Sequence, residues 1–175
     1  MPSTQIKTIT IVGGGTAGWM TAAALIRFFP KEHYHIQLVE SDLIGTVGVG
    51  EATVPHIRHF NNMLGIDEQE FIQATQATYK LGIKFENWGA IGDSYVHPFG
   101  SHGYELGGIA FHHYWMKLQQ ENRTLSFDQF SMAVVAAQAG KFSYPSNDLS
   151  SPLSTFTYAF HINASAYAGY LRRYA

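Results

Sequence analysis

Cysteine is absent from the 175 residues of this chain, and charged residues make up only 14% of it. Without cysteine the chain forms no disulfide, has no thiolate nucleophile and binds no metal through sulfur. The formal net charge is −2, so no basic surface indicates a nucleic acid or an anionic membrane as partner. Residues 1–7 lead into a strand-like segment without a long apolar run, so neither a signal peptide nor a membrane-spanning helix is expected. These absences favour a soluble protein of the cytoplasm.

Apolar and aromatic residues are abundant where charge is scarce. Hydrophobic residues make up 46% of the chain, which includes 12 Phe and 10 Tyr. A surface with so little charge would leave apolar patches exposed unless something covers them. Two covers are compatible with this composition: a large aromatic cofactor, or more protein than these residues contain.

The first forty residues have the pattern of a βαβ unit. Residues 8–12 (Thr-Ile-Thr-Ile-Val) are all β-branched and predict a buried strand. A glycine cluster follows, residues 17–29 are mostly helix formers, and Pro30 ends the helix. Residues 36–40 predict a second strand. Two strands joined by a helix are expected to pair in parallel, with a right-handed crossover, so the fold class is α/β.

The rest of the chain gives weaker signals. The segment 89–108 is rich in glycine and aromatics and has no clear periodicity. The chain stops in the course of its last predicted helix, with too few strands to complete a sheet, which predicts a truncated sequence. The other expected elements are a glycine-rich loop at 45–50, a helix at 56–64 ended by Gly65, a helix capped by Asp67 and running to near 78, an extended segment at 79–88, a helix capped by Ser126 through 139, a loop at 140–154, a short strand at 155–160 and a helix from 163 onward.

Three glycines form a dinucleotide-binding pattern between the first strand and the first helix. Gly13 permits the tight turn, Gly15 lets the backbone approach a pyrophosphate, and Gly18 lets the helix pack close to the strand. The helix N-terminus offers N–H groups and a positive dipole end to the phosphates. Glu40, at the end of the second strand, is placed to accept hydrogen bonds from an adenosine ribose, and it disfavours NADP. The alternative is a turn that merely joins strand to helix, and spacing alone does not separate FAD from NAD.

Three segments carry a resemblance to a known family. Taken in order, they resemble the flavin-dependent tryptophan halogenases, with looser likenesses at 97–100, 113–115 and 171–175. The three segments are residues 13–20 (Gly-Gly-Gly-Thr-Ala-Gly-Trp-Met), 48–55 (Gly-Val-Gly-Glu-Ala-Thr-Val-Pro) and 79–88 (Tyr-Lys-Leu-Gly-Ile-Lys-Phe-Glu-Asn-Trp).

The resemblance implies a Rossmann-like FAD-binding fold of the FAD-dependent monooxygenase type. Residues 1–175 would form its N-terminal part, with most of the substrate-binding module outside them. It also implies that a separate flavin reductase supplies reduced FAD, that halide is a co-substrate and that tryptophan or a related aromatic compound is halogenated. A homodimer is one assembly compatible with this interpretation. The expected cofactor-binding residues are Gly13, Gly14, Gly15, Thr16, Ala17, Gly18, Glu40, Val49, Gly50, Glu51 and Ala52.

Lys80 is the catalytic residue that the resemblance implies, because it matches the lysine that directs hypohalous acid onto the substrate. Its ammonium can polarise hypohalous acid, or its neutral amine can form a haloamine. Apolar neighbours would lower its pKa through desolvation and favour the neutral form. Lys84 has the even spacing from Lys80 that puts two residues on one face of a strand, and we expect it to be structural or a minor electrostatic contributor. Glu51 is as well explained by tying its loop together as by catalysis.

Other functions remain open at this point. His56 and His59 share a helix face and His112 is adjacent to His113, but no metal site is expected, because no cysteine or carboxylate stands at ligand spacing. The rival interpretations are a flavoprotein monooxygenase that hydroxylates, an inactive nucleotide-binding fragment and an NAD-dependent dehydrogenase. Weak or absent activity is expected of these residues alone.

Overall fold

The fold begins with a parallel βαβ unit, seen in a computed structural model that describes residues 6–41, 43–44, 50–121, 123 and 125–175. Strand β1 (Thr8–Val12), helix α1 (Thr16–Phe28) and strand β2 (His35–Val39) follow one another along the chain. The two strands pair in parallel from Thr8 opposite His35 to Val12 opposite Val39. The predicted βαβ unit is therefore confirmed. Helix α1 ends just before Pro30, whose ring and missing N–H stop a helix.

The chain divides into two compact units. The cofactor unit, as we name it, consists of residues 1–78 and 160–175, and the lysine unit consists of residues 79–159. The elements after β2 are β3 (Glu51–Ala52), α2 (His56–Leu64), α3 (Glu68–Thr75), β4 (Thr78–Lys80), β5 (Gly82–Glu86), β6 (Ser94–Pro98), α4 (Phe111–Gln120), a 3₁₀ helix (Phe127–Phe130), α5 (Met132–Gln138), a second 3₁₀ helix (Pro152–Thr155), β7 (Ala159–Ile162) and α6 (Ala164–Tyr174).

The ends of three helices agree with, or correct, the predictions. Helix α2 has the predicted bounds, and Gly65 ends it in the left-handed region at φ 74°. Helix α6 begins as predicted after Asn163, whose side chain accepts a hydrogen bond from the Ala166 N–H. Asp67 caps α3 as predicted, but the helix stops at Thr75 because Gln76 adopts a left-handed conformation. The expectation that it runs to near residue 78 was wrong.

The core of the cofactor unit lies where α6, α3 and β7 meet. Phe71 makes edge-to-face contacts with Phe160 and Tyr167, at ring-centroid distances of 5.2 and 5.3 Å. The Tyr167 hydroxyl donates a hydrogen bond to Asn61 Oδ1 at 2.7 Å, so this buried polar pair is satisfied. Strand β3 pairs antiparallel with β7, which places Glu51 opposite Ile162. Helix α6 also packs on α1, so the same helix joins the core to the βαβ unit.

The lysine unit contains two elements that the sequence pattern did not reveal. Strand β6 lies within the segment 89–108 and pairs antiparallel with β5, and helix α4 follows that segment. The unit is held together by aromatic side chains. Tyr79 stacks on Phe142 with ring centroids 3.7 Å apart, and Tyr158 packs against both rings edge-on.

Two other predictions for residues 79–162 are corrected, and one is confirmed over most of its length. The segment predicted to be extended at 79–88 forms β4 and β5, which Leu81 separates. The helix expected from Ser126 to 139 is instead a 3₁₀ helix capped by Ser126 and then α5, because the backbone of Ser131 is extended between them. The strand expected at 155–160 is displaced to β7. Within the described residues, no helix is both long and apolar enough to span a membrane.

Candidate active site

The turn between β1 and α1 has the backbone geometry that the glycine pattern predicts. Gly13 has φ 117°, a conformation that side chains other than glycine rarely adopt. Its N–H donates a hydrogen bond of 2.8 Å to the carbonyl of Val39 at the end of β2. The turn is therefore fastened to the carboxyl end of the neighbouring strand, which is where ligands bind in open α/β sheets.

The next three glycines of the turn differ in what surrounds them. A Cβ atom on Gly18 would overlap the Gly13 carbonyl oxygen, and a Cβ on Gly14 would overlap the Glu40 carboxylate. A Cβ on Gly15, in contrast, would meet no atom within 4 Å. Gly18 and Gly14 are thus required by packing within the protein. Gly15 faces open space, as expected of a glycine that leaves room for a ligand.

A cleft of about 590 Å³ opens over this turn. Within the described part of the chain, no side chain caps the N-terminus of α1, where Gly15 is the N-cap, and no acidic residue lies in its first turn. The N–H groups at this end of the helix therefore favour an anionic ligand. The cleft is lined by Val12, Gly13, Gly14, Gly15, Thr16, Ala17, Val39, Glu40, Ser41, Ile44 and Glu51.

Apolar side chains along the cleft are exposed to solvent. Val12 is 83% exposed, Val39 is 54% exposed and Ile44 is 75% exposed. Large apolar side chains gathered at this exposure mark a surface that a ligand or more protein covers. This is the apolar patch that the low charge content predicts, and it coincides with the glycine turn.

Glu40 lies at the edge of the cleft with both carboxylate oxygens engaged. The indole Nε1–H of Trp19 donates to Glu40 Oε2 at 3.3 Å, and Arg172 Nη1 lies 2.8 Å from Glu40 Oε1. The Arg172 guanidinium also lies over the Trp19 ring, 5.7 Å from its centroid. The sequence predicts the place of Glu40. Arg172 lies within the looser likeness at 171–175, which assigned it no contact with Glu40, and the contact arises from α6.

A second cleft, of about 410 Å³, adjoins the first and shares Thr16 and Glu51 with it. Glu51 and Ala52 form β3 and line this second cleft. Gly50 is exposed just before them. Val49, also expected at the cofactor, lies outside the described residues. The structure therefore brings the glycine turn, Glu40 and Glu51 together around one pair of adjoining clefts.

Lys80 belongs to the lysine unit and is buried, with 7% of its surface exposed. Its Nζ lies 5.3 Å from the centroid of the Phe99 ring, close enough for a cation–π contact. Burial lowers the pKa of Lys80 from its ordinary value because desolvation disfavours the ammonium form. The predicted direction of this shift is confirmed. Phe99 was part of a looser likeness in the sequence, which assigned it no contact with the lysine.

Lys84 differs from Lys80 in its exposure and in its contacts. Its side chain is 60% exposed and forms an ion pair with Glu86. The two lysines do not lie on one face of a single strand, because Lys80 ends β4 and Lys84 lies in β5. That expectation was wrong, since the break at Leu81 interrupts the alternation.

The histidines singled out from the sequence are distributed over two helices. His56 and His59 lie on α2, whereas His112 and His113 lie on α4 with their rings 4.0 Å apart. Among the residues that the structure describes, no group of three His, Cys, Asp or Glu side chains is arranged to hold a metal ion.

Comparison with known proteins identifies relatives along nearly the whole chain. The tryptophan halogenase family model matches residues 8–175. The tryptophan 6-halogenase ThaL of Streptomyces albogriseolus is 36% identical over 98% of this chain and 34% of its own length. The 7-chloro-L-tryptophan 6-halogenase KtzR of Kutzneria sp. (strain 744) is 54% identical over 52% of this chain and 17% of its own length.

Solved structures agree with this grouping. BrvH, a flavin-dependent halogenase from Brevundimonas sp. BAL3, is 44% identical with a TM-score of 0.86, over 97% of this chain and 33% of that one. The chain thus spans about a third or less of the length of these relatives.

Proposed function

Because this chain belongs to the tryptophan halogenase family, we propose that the protein uses FAD, oxygen and halide to halogenate tryptophan or a related aromatic compound. The observation that carries the proposal is Lys80, a lysine with 7% of its surface exposed beside an aromatic ring. Lysine is rarely buried to this extent, since removing its charge from water costs free energy unless partners compensate for it. This position matches the lysine that handles hypohalous acid in the family that the chain resembles.

The glycine cleft fits the FAD cofactor. Its volume of about 590 Å³ lies in the range of small-molecule sites, and its rim carries exposed apolar side chains that an aromatic cofactor would cover. Gly15 leaves open the space that a pyrophosphate would occupy. When bound and reduced, FAD supplies the oxygen chemistry that converts halide into hypohalous acid.

The residues of the cofactor unit would bind and orient FAD. The N–H groups at the N-terminus of α1 would hold the pyrophosphate beside Gly13 to Ala17. The Glu40 carboxylate would accept hydrogen bonds from the adenosine ribose. Glu51 and Ala52 would continue the site into the second cleft, and Val49 and Gly50 are proposed as cofactor-binding residues on the resemblance to the family. For Glu51, the pairing of β3 with β7 supports a role in fastening this segment.

In the lysine unit, Lys80 would hold or transfer the halogen at its Nζ. In one route the ammonium donates a hydrogen bond to the oxygen of hypohalous acid and so polarises the oxygen–halogen bond. In the other, the neutral amine attacks the halogen, an N–X bond forms, the O–X bond breaks, and the amine proton leaves with hydroxide as water. The lowered pKa of Lys80 increases the share of neutral amine. Phe99 would keep water away from the reacting nitrogen.

Three further elements of the proposal concern the surroundings of the protein. Reduced FAD would come from a separate flavin reductase, as the resemblance to the family implies. A homodimer and a location in the cytoplasm are also proposed, and both rest on the sequence interpretation alone.

The test is halide-dependent product formation by the protein expressed from its complete reading frame. With FAD, a flavin reductase, bromide and tryptophan or another indole, we expect a product with the isotope doublet of one bromine in mass spectrometry. A hydroxylated product formed without halide would indicate a monooxygenase instead. Failure to retain FAD would indicate an inactive fragment or an NAD-dependent enzyme.

A further inference from the structure

The Glu40 carboxylate is held from two sides by side chains far apart in the chain. Trp19, in the first turn of α1, donates to one oxygen at 3.3 Å. Arg172, in the last turn of α6, contacts the other oxygen at 2.8 Å. The guanidinium and the indole also contact one another, at 5.7 Å from Cζ to the ring centroid. Together they form a closed triangle of contacts that we call the Glu40 clamp.

The clamp fixes the carboxylate at a defined place. Glu40 lies so close to the turn that a Cβ atom on Gly14 would overlap it. With one donor on each oxygen, rotation of the carboxylate would break at least one contact. A carboxylate offers about four lone-pair positions, so two are used and two remain. The clamp therefore fixes the orientation of the Glu40 carboxylate and leaves two of its lone-pair positions available to accept hydrogen bonds.

Stability alone gives a poor account of this arrangement. The Arg172 side chain is 62% exposed and the Glu40 side chain 23% exposed, so water and salt screen the pair on the arginine side and reduce its contribution to folding. Preorganisation of an acceptor is a different benefit, because a ligand that meets a fixed carboxylate does not have to order it on binding.

We propose that Trp19 and Arg172 are positioning residues that hold Glu40 ready for the adenosine ribose and so set a preference for FAD over FMN. The inference rests on the proposed binding of FAD in the glycine cleft. FMN has no adenosine half, so only FAD gains from an oriented Glu40. The proposal also gives a role to the tryptophan of the Thr-Ala-Gly-Trp segment, which glycine-turn geometry leaves unexplained.

The variants Trp19→Phe and Arg172→Gln test the clamp in the protein expressed from its complete reading frame. Trp19→Phe keeps an aromatic ring and loses the N–H donor, whereas Arg172→Gln loses the charge. Arg173→Gln is the matched control, because the Arg173 guanidinium faces Tyr170, at 5.9 Å from its ring centroid, on another part of the surface. The dissociation constants of FAD and FMN are measured for each protein by fluorescence titration.

We expect each clamp variant to lose about tenfold in FAD affinity, the size of one hydrogen bond to a charged group, with FMN affinity unchanged. Arg173→Gln should bind both flavins like the wild type. In a Glu40→Ala background, Trp19→Phe should have no further effect, since the carboxylate it positions is gone.

Three results would overturn the proposal. The first is an equal loss of FAD and FMN affinity, as general destabilisation would give, and the second is no loss for either variant. The third is a loss that persists in the Glu40→Ala background. Failure of the wild type to bind FAD would instead overturn the proposed function, so the two failures are distinguishable.

Discussion

The cofactor unit and the lysine unit present their chemistry by opposite means. In the cofactor unit, the site is built from backbone: glycines, a helix N-terminus and strand ends, with apolar side chains such as Val12 left in solvent. In the lysine unit, the proposed reactive group is one side chain removed from solvent, Lys80, with the Phe99 ring beside it. The first arrangement offers fixed dipoles and space for a ligand, whereas the second lowers the pKa of a single amine.

The difference shows where each unit is sensitive to substitution. A backbone site depends on the absence of side-chain atoms, so adding one methyl group is the informative change. A buried lysine depends on its charge and its surroundings, so removing the amine while keeping the volume is the informative change.

The largest effect within the cofactor unit is expected from Gly18→Ala. The new methyl group would overlap the Gly13 carbonyl oxygen, which is backbone and has little freedom to move. We expect a loss of about 1–3 kcal/mol in the free energy of unfolding together with loss of FAD binding. Urea denaturation and FAD titration measure the two effects. Unchanged stability would show that the close contact between α1 and the turn is not needed.

The variant Gly15→Ala distinguishes the space that a ligand needs from the space that protein packing needs. Its backbone has φ −75°, which alanine adopts without strain, and the new methyl group would meet no protein atom within 4 Å. We therefore expect wild-type stability with FAD affinity reduced at least about tenfold, because the methyl group occupies the space of the pyrophosphate. Unreduced FAD affinity in Gly15→Ala would place the cofactor elsewhere.

In the lysine unit, Lys80→Met should change how stability depends on pH. The pKa of Lys80 is lowered in the folded protein from 10.5, so between the two values the unfolded chain binds more protons and wild-type stability rises with pH. Below the folded pKa the full cost of burying the ammonium is present. We expect Lys80→Met to be more stable than the wild type at neutral pH, with the difference shrinking as the pH approaches 10.5. Urea denaturation across this range measures it, and a difference independent of pH would contradict the lowered pKa.

The smallest effect is expected from Lys84→Met. The side chain is 60% exposed and its partner Glu86 is 61% exposed, so the ion pair contributes little to stability. We expect the melting temperature to change by no more than about 1 °C and product yield to stay at the wild-type level. A strong loss of product would mean that the reactive lysine was assigned to the wrong strand.

The sequence predicted best where local chemistry decides structure. The βαβ unit, the bounds of α2 and the Asp67 cap of α3 follow from β-branched runs, a glycine stop and a capping side chain. Strand β6 escaped prediction because its glycine-rich surroundings show no periodicity, and pairing with β5 defines it. Contacts of that kind are long-range, and a local pattern does not contain them.

The candidate site divides in the same way. Gly13, Gly15, Gly18 and Glu40 could be placed from spacing alone. The burial of Lys80 and its contact with Phe99 come from tertiary packing. Arg172 reaches Glu40 because α6 packs on α1, and the looser likeness at 171–175 did not predict that contact.

The most direct test of the account compares FAD binding and brominated product in a single preparation of Lys80→Met, expressed from the complete reading frame. Because cofactor binding is assigned to the backbone of one unit and halogen transfer to the lysine of the other, we predict FAD affinity equal to that of the wild type. Product yield should fall by at least about a hundredfold, as expected when a catalytic nucleophile or acid is removed. Wild-type yields of brominated product from Lys80→Met would contradict the account.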